Sequence, residues 1–172
     1  MKRFSILFLL TLFLLPGCKK DVQDTDAEIE AIKNVIKQET SSYLKQDLVN
    51  LVKTWANTEN ATRISVGSNG YKEYAGWEKV YAFFKASTNA NWKDYTNYRV
   101  ERSNWRFEFC GDGALVFFDQ NMYFDYKGEP MNTFSKEFRF MEKIKGDWKI
   151  VMLQWIDMSS FTEEGKTDVK TF

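Results

Sequence analysis

The sequence predicts an α+β domain, with helices gathered on one face of an antiparallel sheet. Three observations predict it. Residues 105–109, 114–126 and 134–157 are aromatic-rich and alternate in character, and a period of two is the mark of a strand. Lys145-Gly146-Asp147 then divides the last run into two strands. Upstream of them, apolar residues recur at helical spacing in three separate stretches. The predicted order is helix, helix, short strand, helix, then four long antiparallel strands.

Taken from its start, the chain opens on Met1-Lys2-Arg3, a short basic region, followed by an apolar stretch over 4–15. That stretch is of signal-peptide length and short of the ~20 apolar residues that span a bilayer. Leu15-Pro16-Gly17-Cys18 resembles the bacterial lipobox, in which the cysteine is lipidated and becomes the mature N-terminus. The resemblance implies a signal peptide over 1–17, lipidation at Cys18, a membrane partner through that lipid, and a place on the bacterial cell envelope, at the outer membrane. Lys19-Lys20-Asp21 resembles the charged export tags of surface lipoproteins and reads equally as a charged linker. Residues 18–25 form the tether.

Thr25-Asp26-Ala27-Glu28 has the pattern of a capping box, the glutamate reaching back to the helix start. Ile29, Ile32, Ile36 and Tyr43 continue it as one apolar stripe, and Asp47 caps a second helix carrying Leu48, Leu51, Val52 and Trp55. Residues 63–66 read as a short strand and Gly67-Ser68-Asn69-Gly70 as its turn. Gly76 precedes a third helix in which Trp77, Val80, Tyr81 and Phe84 share a face. A polar loop over 89–94 leads to the sheet, and residues 161–172 form a polar tail. The folded domain is expected over 26–160.

Charge and composition exclude several function classes. Basic and acidic residues balance at 24 each, and two of the basic ones, Lys2 and Arg3, lie in 1–17. The remainder carries 22 basic against 24 acidic residues, a net of −2, which offers no general attraction to nucleic acid. Histidine is absent, so histidine-based triads and imidazole-ligated metal sites are excluded, and neither a metal nor another cofactor is expected. With Cys18 lipidated, no disulfide framework is expected. Cys110, just before Gly111-Asp112-Gly113, then reads as a packed structural thiol.

At this point the chain resembles the nuclear-transport-factor-2-like superfamily and, within it, the SnoaL-like domains. The matching pieces are Tyr43-Leu44-Lys45-Gln46-Asp47-Leu48, Trp55-Ala56-Asn57, Gly76-Trp77 and the closing strand Gly146-Asp147-Trp148-Lys149-Ile150-Val151. The resemblance covers roughly 26–160 and implies a curved antiparallel sheet closed into a cone, three N-terminal helices packed on its concave face, and a pocket inside. Many members end the closing strand with histidines and a serine. Here it reads Met152-Leu153-Gln154-Trp155-Ile156-Asp157, without that chemistry.

Alternation assigns Val116, Phe118, Met122, Phe124 and Tyr126 to one face of the second long strand, with Leu115, Phe117 and Tyr123 on the other. The last strand shows Trp148, Ile150, Met152 and Ile156 on one side and Val151, Leu153 and Trp155 on the other. Both faces are therefore expected to be covered, one by helices and the other by a second copy, since related proteins dimerise through the outer face. Family enzymes use carboxylates and tyrosines inside the cone, where burial raises a carboxylate's pKa toward neutrality. The catalytic candidates on that pattern are Glu39, Tyr43, Asp119 with its neighbour Gln120, and Asp157. Tyr43, Trp55, Tyr81, Trp105 and Phe118 are expected to converge on one space that could hold a small apolar or aromatic ligand, although such sets are more often core. Arg106 with Glu108, and Glu137 with Arg139, read as charge pairs on a wetter face.

Two functions follow. One is a lipid-anchored module that binds a small molecule or a protein. The other is a lyase- or isomerase-type enzyme using a buried carboxylate and a tyrosine. An open cone with a desolvated carboxylate near Tyr43 favours the second, and a cone filled by Phe and Trp disfavours it.

Overall fold

The computed structural model describes residues 25–158. The expected signal peptide, Cys18 and the expected tether before Thr25 lie outside the described residues, as do residues 159–172. The elements are α1 (Thr25–Leu44), α2 (Leu48–Lys53), β1 (Thr62–Gly67), β2 (Gly70–Ala75), α3 (Trp77–Thr88), β3 (Tyr95–Cys110), β4 (Gly113–Tyr126), β5 (Glu129–Ile144) and β6 (Asp147–Asp157). Among the described residues, no helix is long and apolar enough to cross a membrane.

The helices end where their sequences say they should. Gln46, at φ 58°, takes the left-handed turn that closes α1, and the Asp47 amide returns to the Ser42 carbonyl at 2.8 Å. Asp47 then caps α2, accepting from the Asn50 amide at 3.0 Å. Gly76 starts α3 at φ 88°, a conformation that side-chain-bearing residues avoid.

One six-stranded sheet runs in the order β2-β1-β6-β5-β4-β3. The four long strands are antiparallel neighbours, as alternation predicted. Two features differ from that prediction. β1 lies parallel to β6, and β2, where no strand was expected, is an edge strand paired with β1. Nearly all of β2 is exposed, so it carries no apolar alternation by which to recognise it.

The core lies between the helices and the concave face. Ile32 and Ile36 of α1, Leu51 of α2, and Val80 and Phe84 of α3 meet Val116, Phe118, Met141, Trp148 and Ile150 of the sheet. Trp55, just past α2, bridges in parallel to Ile150 and is 2% exposed.

Three irregularities curve the sheet. β3 is out of step with β4 between Thr96 and Arg99 and again between Ser103 and Arg106. The left-handed residues Asn97 and Asn104 lie within these shifts. The third falls on β6, where Phe140 pairs with Met152 but Met141 pairs with Ile150, leaving Val151 as the extra residue. The predicted faces of β6 therefore split at Val151. Trp148 and Ile150 face inward as expected, but beyond the bulge Leu153 and Trp155 take the inner face, while Met152 and Ile156 turn outward.

Two local expectations change for related reasons. Glu28 does not reach back to the helix start. It accepts from the Trp148 indole and from Lys143, both at 2.6 Å, and so ties α1 to the β5–β6 hairpin. Cys110 is exposed at the tip of β3 and is not a free thiol, rather than being packed, because it shares the outward parity of Arg106 and Glu108.

Trp148 is 5% exposed and satisfies its one polar atom through Glu28. Trp148→Ala removes a buried indole and one of the two hydrogen bonds to Glu28, and should lower unfolding stability by about 3–5 kcal/mol in urea titrations. A midpoint shift too small to resolve would show that the indole contributes no packing.

Candidate functional site

A cavity of about 250 Å³ sits inside the curved sheet, under the C-terminal half of α1. Helix α1 contributes Glu39, Thr40, Tyr43 and Leu44, and α3 contributes Phe84. The sheet supplies Arg63 from β1, Gln120 and Met122 from β4, Glu137 and Arg139 from β5, and Leu153 and Trp155 from β6. Trp155 reaches this space only because the bulge at Val151 has reversed the strand's parity.

The lining is unusually polar for a concave core. Glu137 is 4% and Arg139 3% exposed, and Arg139 Nη1 donates to Glu137 Oε2 at 2.7 Å. Ser135 Oγ (2.9 Å) and Gln120 Nε2 (3.2 Å) donate to the other carboxylate oxygen. These residues were expected on a wetter face. The aromatic weight of β5, in Phe134, Phe138 and Phe140, points to the opposite parity, and those side chains take the outer face. Arg106 does lie on the outer face, 4.2 Å over the ring of Phe117.

Glu39, 5% exposed, projects from the buried stripe of α1. Burial pushes its carboxyl above the ordinary range, although the charge of Arg139 and a hydrogen bond from Thr40 work against the rise. The Thr40 hydroxyl, 3.1 Å from Glu39 Oε2, accepts from Arg102 Nη2 at 2.7 Å, so Arg102 reaches Glu39 through one intervening hydroxyl. Burial lowers Arg63 and Arg102 from the usual guanidinium value, yet both stay protonated, as arginine does throughout the working pH range. Arg63 also lies 4.0 Å over the ring of Phe83. Two cavity-lining side chains keep an unsatisfied buried atom, Oε1 of Gln120 and Nε of Arg139, as does Nε of nearby Arg102.

The expected catalytic residues separate. Glu39 and Tyr43 line the cavity one turn apart, and Gln120 faces them from β4. Asp119 points outward, where Lys136 at 2.8 Å and Asn104 at 2.7 Å donate to it. Burial alone would raise Asp119, but those two hydrogen bonds outweigh it and hold the carboxyl below its ordinary value. Asp157 ends β6 opposite Ser135 and is not among the lining residues. Nor do the five aromatics converge on one space. Tyr43 lines the cavity. Trp55 is packed edge-on against Phe84 at 5.3 Å, and Phe118 stacks with Trp105 at 4.4 Å within the core. Tyr81 is 38% exposed and lies against Trp77, because α3 turns Phe84 and Val80 inward instead. The sequence offered one signal for the missed residues: Glu137 and Arg139 share the parity of Met141, which is fully buried. Among the described residues, no group of His, Cys, Asp and Glu side chains is placed to hold a metal ion.

No protein-family model matches the sequence, and no curated protein does. Solved structures do match in shape. A superfamily protein from Salmonella enterica serovar Typhimurium, described as nuclear transport factor 2 (NTF2)-like, superposes with a TM-score of 0.60 at 18% identity, covering 76% of this chain and 91% of that one. A putative dehydratase of the NTF2-like family from Streptomyces avermitilis gives 0.62 at 13% identity, covering 77% and 97%. The association domain of CaMKII from C. elegans gives 0.62 at 20% identity, covering 76% and 95%. The chain has the NTF2-like fold. At these identities the likeness extends to architecture alone. The NTF2-like cone here encloses the cavity between α1 and the concave sheet, and its polar lining comes from this chain's own residues.

The displaced titration of Glu39 has a consequence for stability. A carboxyl whose folded pKa is raised above its unfolded value of ~4.3 incurs no penalty below that value. Destabilisation accumulates as pH rises through the folded pKa. Glu39→Gln should therefore gain stability over the native chain, and gain more at pH 8 than at pH 5 in parallel urea titrations. An offset that is the same at both pH values would show that Glu39 titrates normally.

Proposed function

We propose that this NTF2-like protein binds a small molecule inside its cone and is held on the bacterial envelope by lipid on Cys18. One observation carries the binding reading: the 250 Å³ cavity is lined by Gln120 and Arg139, each buried with a polar atom that no protein group satisfies. Buried polar atoms are nearly always paired, so unpaired ones beside a cavity mark where a bound group completes the set. Phe84, Met122, Leu153 and Trp155 supply apolar walls.

A ligand-observed NMR screen of compact aromatic and aliphatic fragments against the full-length chain in neutral detergent tests this reading. Fragments should bind and compete with one another, and Leu153→Phe, which narrows the cavity from a 4%-exposed position, should abolish binding with the melting temperature little changed. Absence of binding, or binding indifferent to Leu153→Phe, would refute it.

A second reading is favoured by the placement of Glu39. A desolvated carboxyl with a raised pKa, one helical turn from a tyrosine and facing a cavity, is the arrangement a general acid or base requires. On this reading the protein is a lyase- or isomerase-type enzyme, and Glu39→Gln abolishes turnover while fragments still bind.

The anchor reading rests on Leu15-Pro16-Gly17-Cys18 behind a basic and apolar leader. A homodimer through the outer sheet face is proposed alongside it. Phe117 and Phe138 meet there at 5.0 Å with Leu115 39% exposed, and a structural neighbour is an association domain. Intact mass and sedimentation velocity on the detergent-extracted chain check both. The expected species starts at Cys18, carries acyl chains and sediments as two copies. An unacylated Cys18 would end the anchor reading, and a monomer would end the dimer.

A further inference from the structure

We infer that the cavity takes a small organic monoanion, a carboxylate on a compact apolar body, seated between the guanidiniums of Arg63 and Arg139. This rests on the binding reading above and specifies its ligand. The first ground is charge. Glu39, Arg63, Arg102, Glu137 and Arg139 act on one another electrostatically around this one space. The lining itself balances, Arg63 and Arg139 against Glu39 and Glu137, and Arg102, behind the Thr40 hydroxyl, adds one positive charge to the set, with a second in excess when Glu39 holds a proton. In surroundings of low dielectric, such an excess selects for an anion.

The second ground is the inventory of donors. Arg139 gives Nη1 to Glu137 and to the Phe138 carbonyl, leaving its buried Nε–H without an acceptor. Arg63, from β1, brings a second guanidinium to the same cavity, and planar guanidiniums match carboxylate geometry. Gln120 spends its amide N–H on Glu137, which fixes the orientation of the amide and leaves Oε1 waiting for a donor. A hydroxyl on the ligand satisfies that atom.

The remaining limits come from Glu137, from size and from the walls. Glu137 stands beside Arg139 and Glu39 stands across the cavity, so a dianion would meet two carboxyl groups. A single negative charge fits better. A volume of 250 Å³ equals that of about eight waters at ~30 Å³ each, room for one ring or a short chain. Trp155 and Leu153 line the space with apolar surface, which a phosphate ion leaves unused.

The test titrates the full-length chain in neutral detergent with four probes at constant ionic strength: benzoate, its neutral isostere benzamide, the cation benzylamine, and inorganic phosphate. Benzoate should bind at least tenfold more tightly than benzamide, with benzylamine and phosphate weaker still. Arg63→Gln should weaken benzoate at least tenfold, leave benzamide within about twofold, and keep the melting temperature near native. The benzoate-to-benzamide ratio is read on the native chain, so it decides the matter even if the variant does not fold. Equal binding of the two, or a preference for benzylamine, overturns the monoanion while the cavity reading survives. Phosphate binding more tightly than benzoate overturns the carboxylate. Benzoate binding that is unchanged in folded Arg63→Gln overturns the seat. If none of the four binds, both this inference and the binding reading fall.

Discussion

The curvature of the sheet is the constraint on which the rest of the molecule depends. A regular antiparallel sheet twists, but it does not wrap round a helix without interruptions in its pairing. Here the interruptions lie at Asn97 and Asn104 in β3 and at Val151 in β6. Both asparagines adopt left-handed conformations, and each donates its side-chain amide to an aspartate of β4, Asn97 to Asp125 and Asn104 to Asp119. Asp119, a catalytic candidate on chemistry alone, is thus a brace for the bend. The bulge at Val151 decides the identity of the site, because it brings Leu153 and Trp155 into the cone.

Helix α1 is held against this curve at two levels by carboxylates of different character. Glu28 is half-exposed and grips Lys143 and the Trp148 indole, and those hydrogen bonds hold its carboxyl below the ordinary range. Glu39 lies eleven residues further on, about 16 Å along the axis at 1.5 Å per residue, and burial shifts it the other way. Glu28 works as a clasp on the outside of the fold. Glu39 belongs to the interior set with Glu137, Arg139, Arg63 and Arg102.

That interior set is costly as a purely structural device. Well-packed apolar residues replace a buried ion pair with little loss or with a gain in stability, so the pair is weak evidence for a stabilising role. The surroundings agree. Glu137 is saturated by Arg139, Ser135 and Gln120, while Arg139 and Gln120 each keep an unsatisfied atom beside open space. A core selected for stability alone would fill that space with apolar side chains, as the core beside it does with Ile32, Ile36, Leu51 and Ile150.

The sequence by itself determined the elements whose signals are local. The three helices, the cap at Asp47, the start of α3 at Gly76 and the Lys145-Gly146-Asp147 break each depend on neighbours within a few residues, and these lie where they were expected, although Tyr81 leaves the stripe assigned to α3. The buried face of Trp148 was legible for the same reason, from alternation over a regular stretch. Tertiary structure alone decided β2, whose exposed edge carries no pattern, and the parallel pairing of β1 with β6, which joins segments far apart in the chain. It also decided the site. Tyr43 and Glu39 were readable from their helix, but Glu137 and Arg139 were assigned to the wrong face because Phe134, Phe138 and Phe140 made the outer side of β5 look like the core. One extra residue at Val151 then reversed every later side chain of β6. A period-two pattern fixes which residues share a face only while the pairing stays regular, and a bulge is a property of two strands together that neither sequence shows alone.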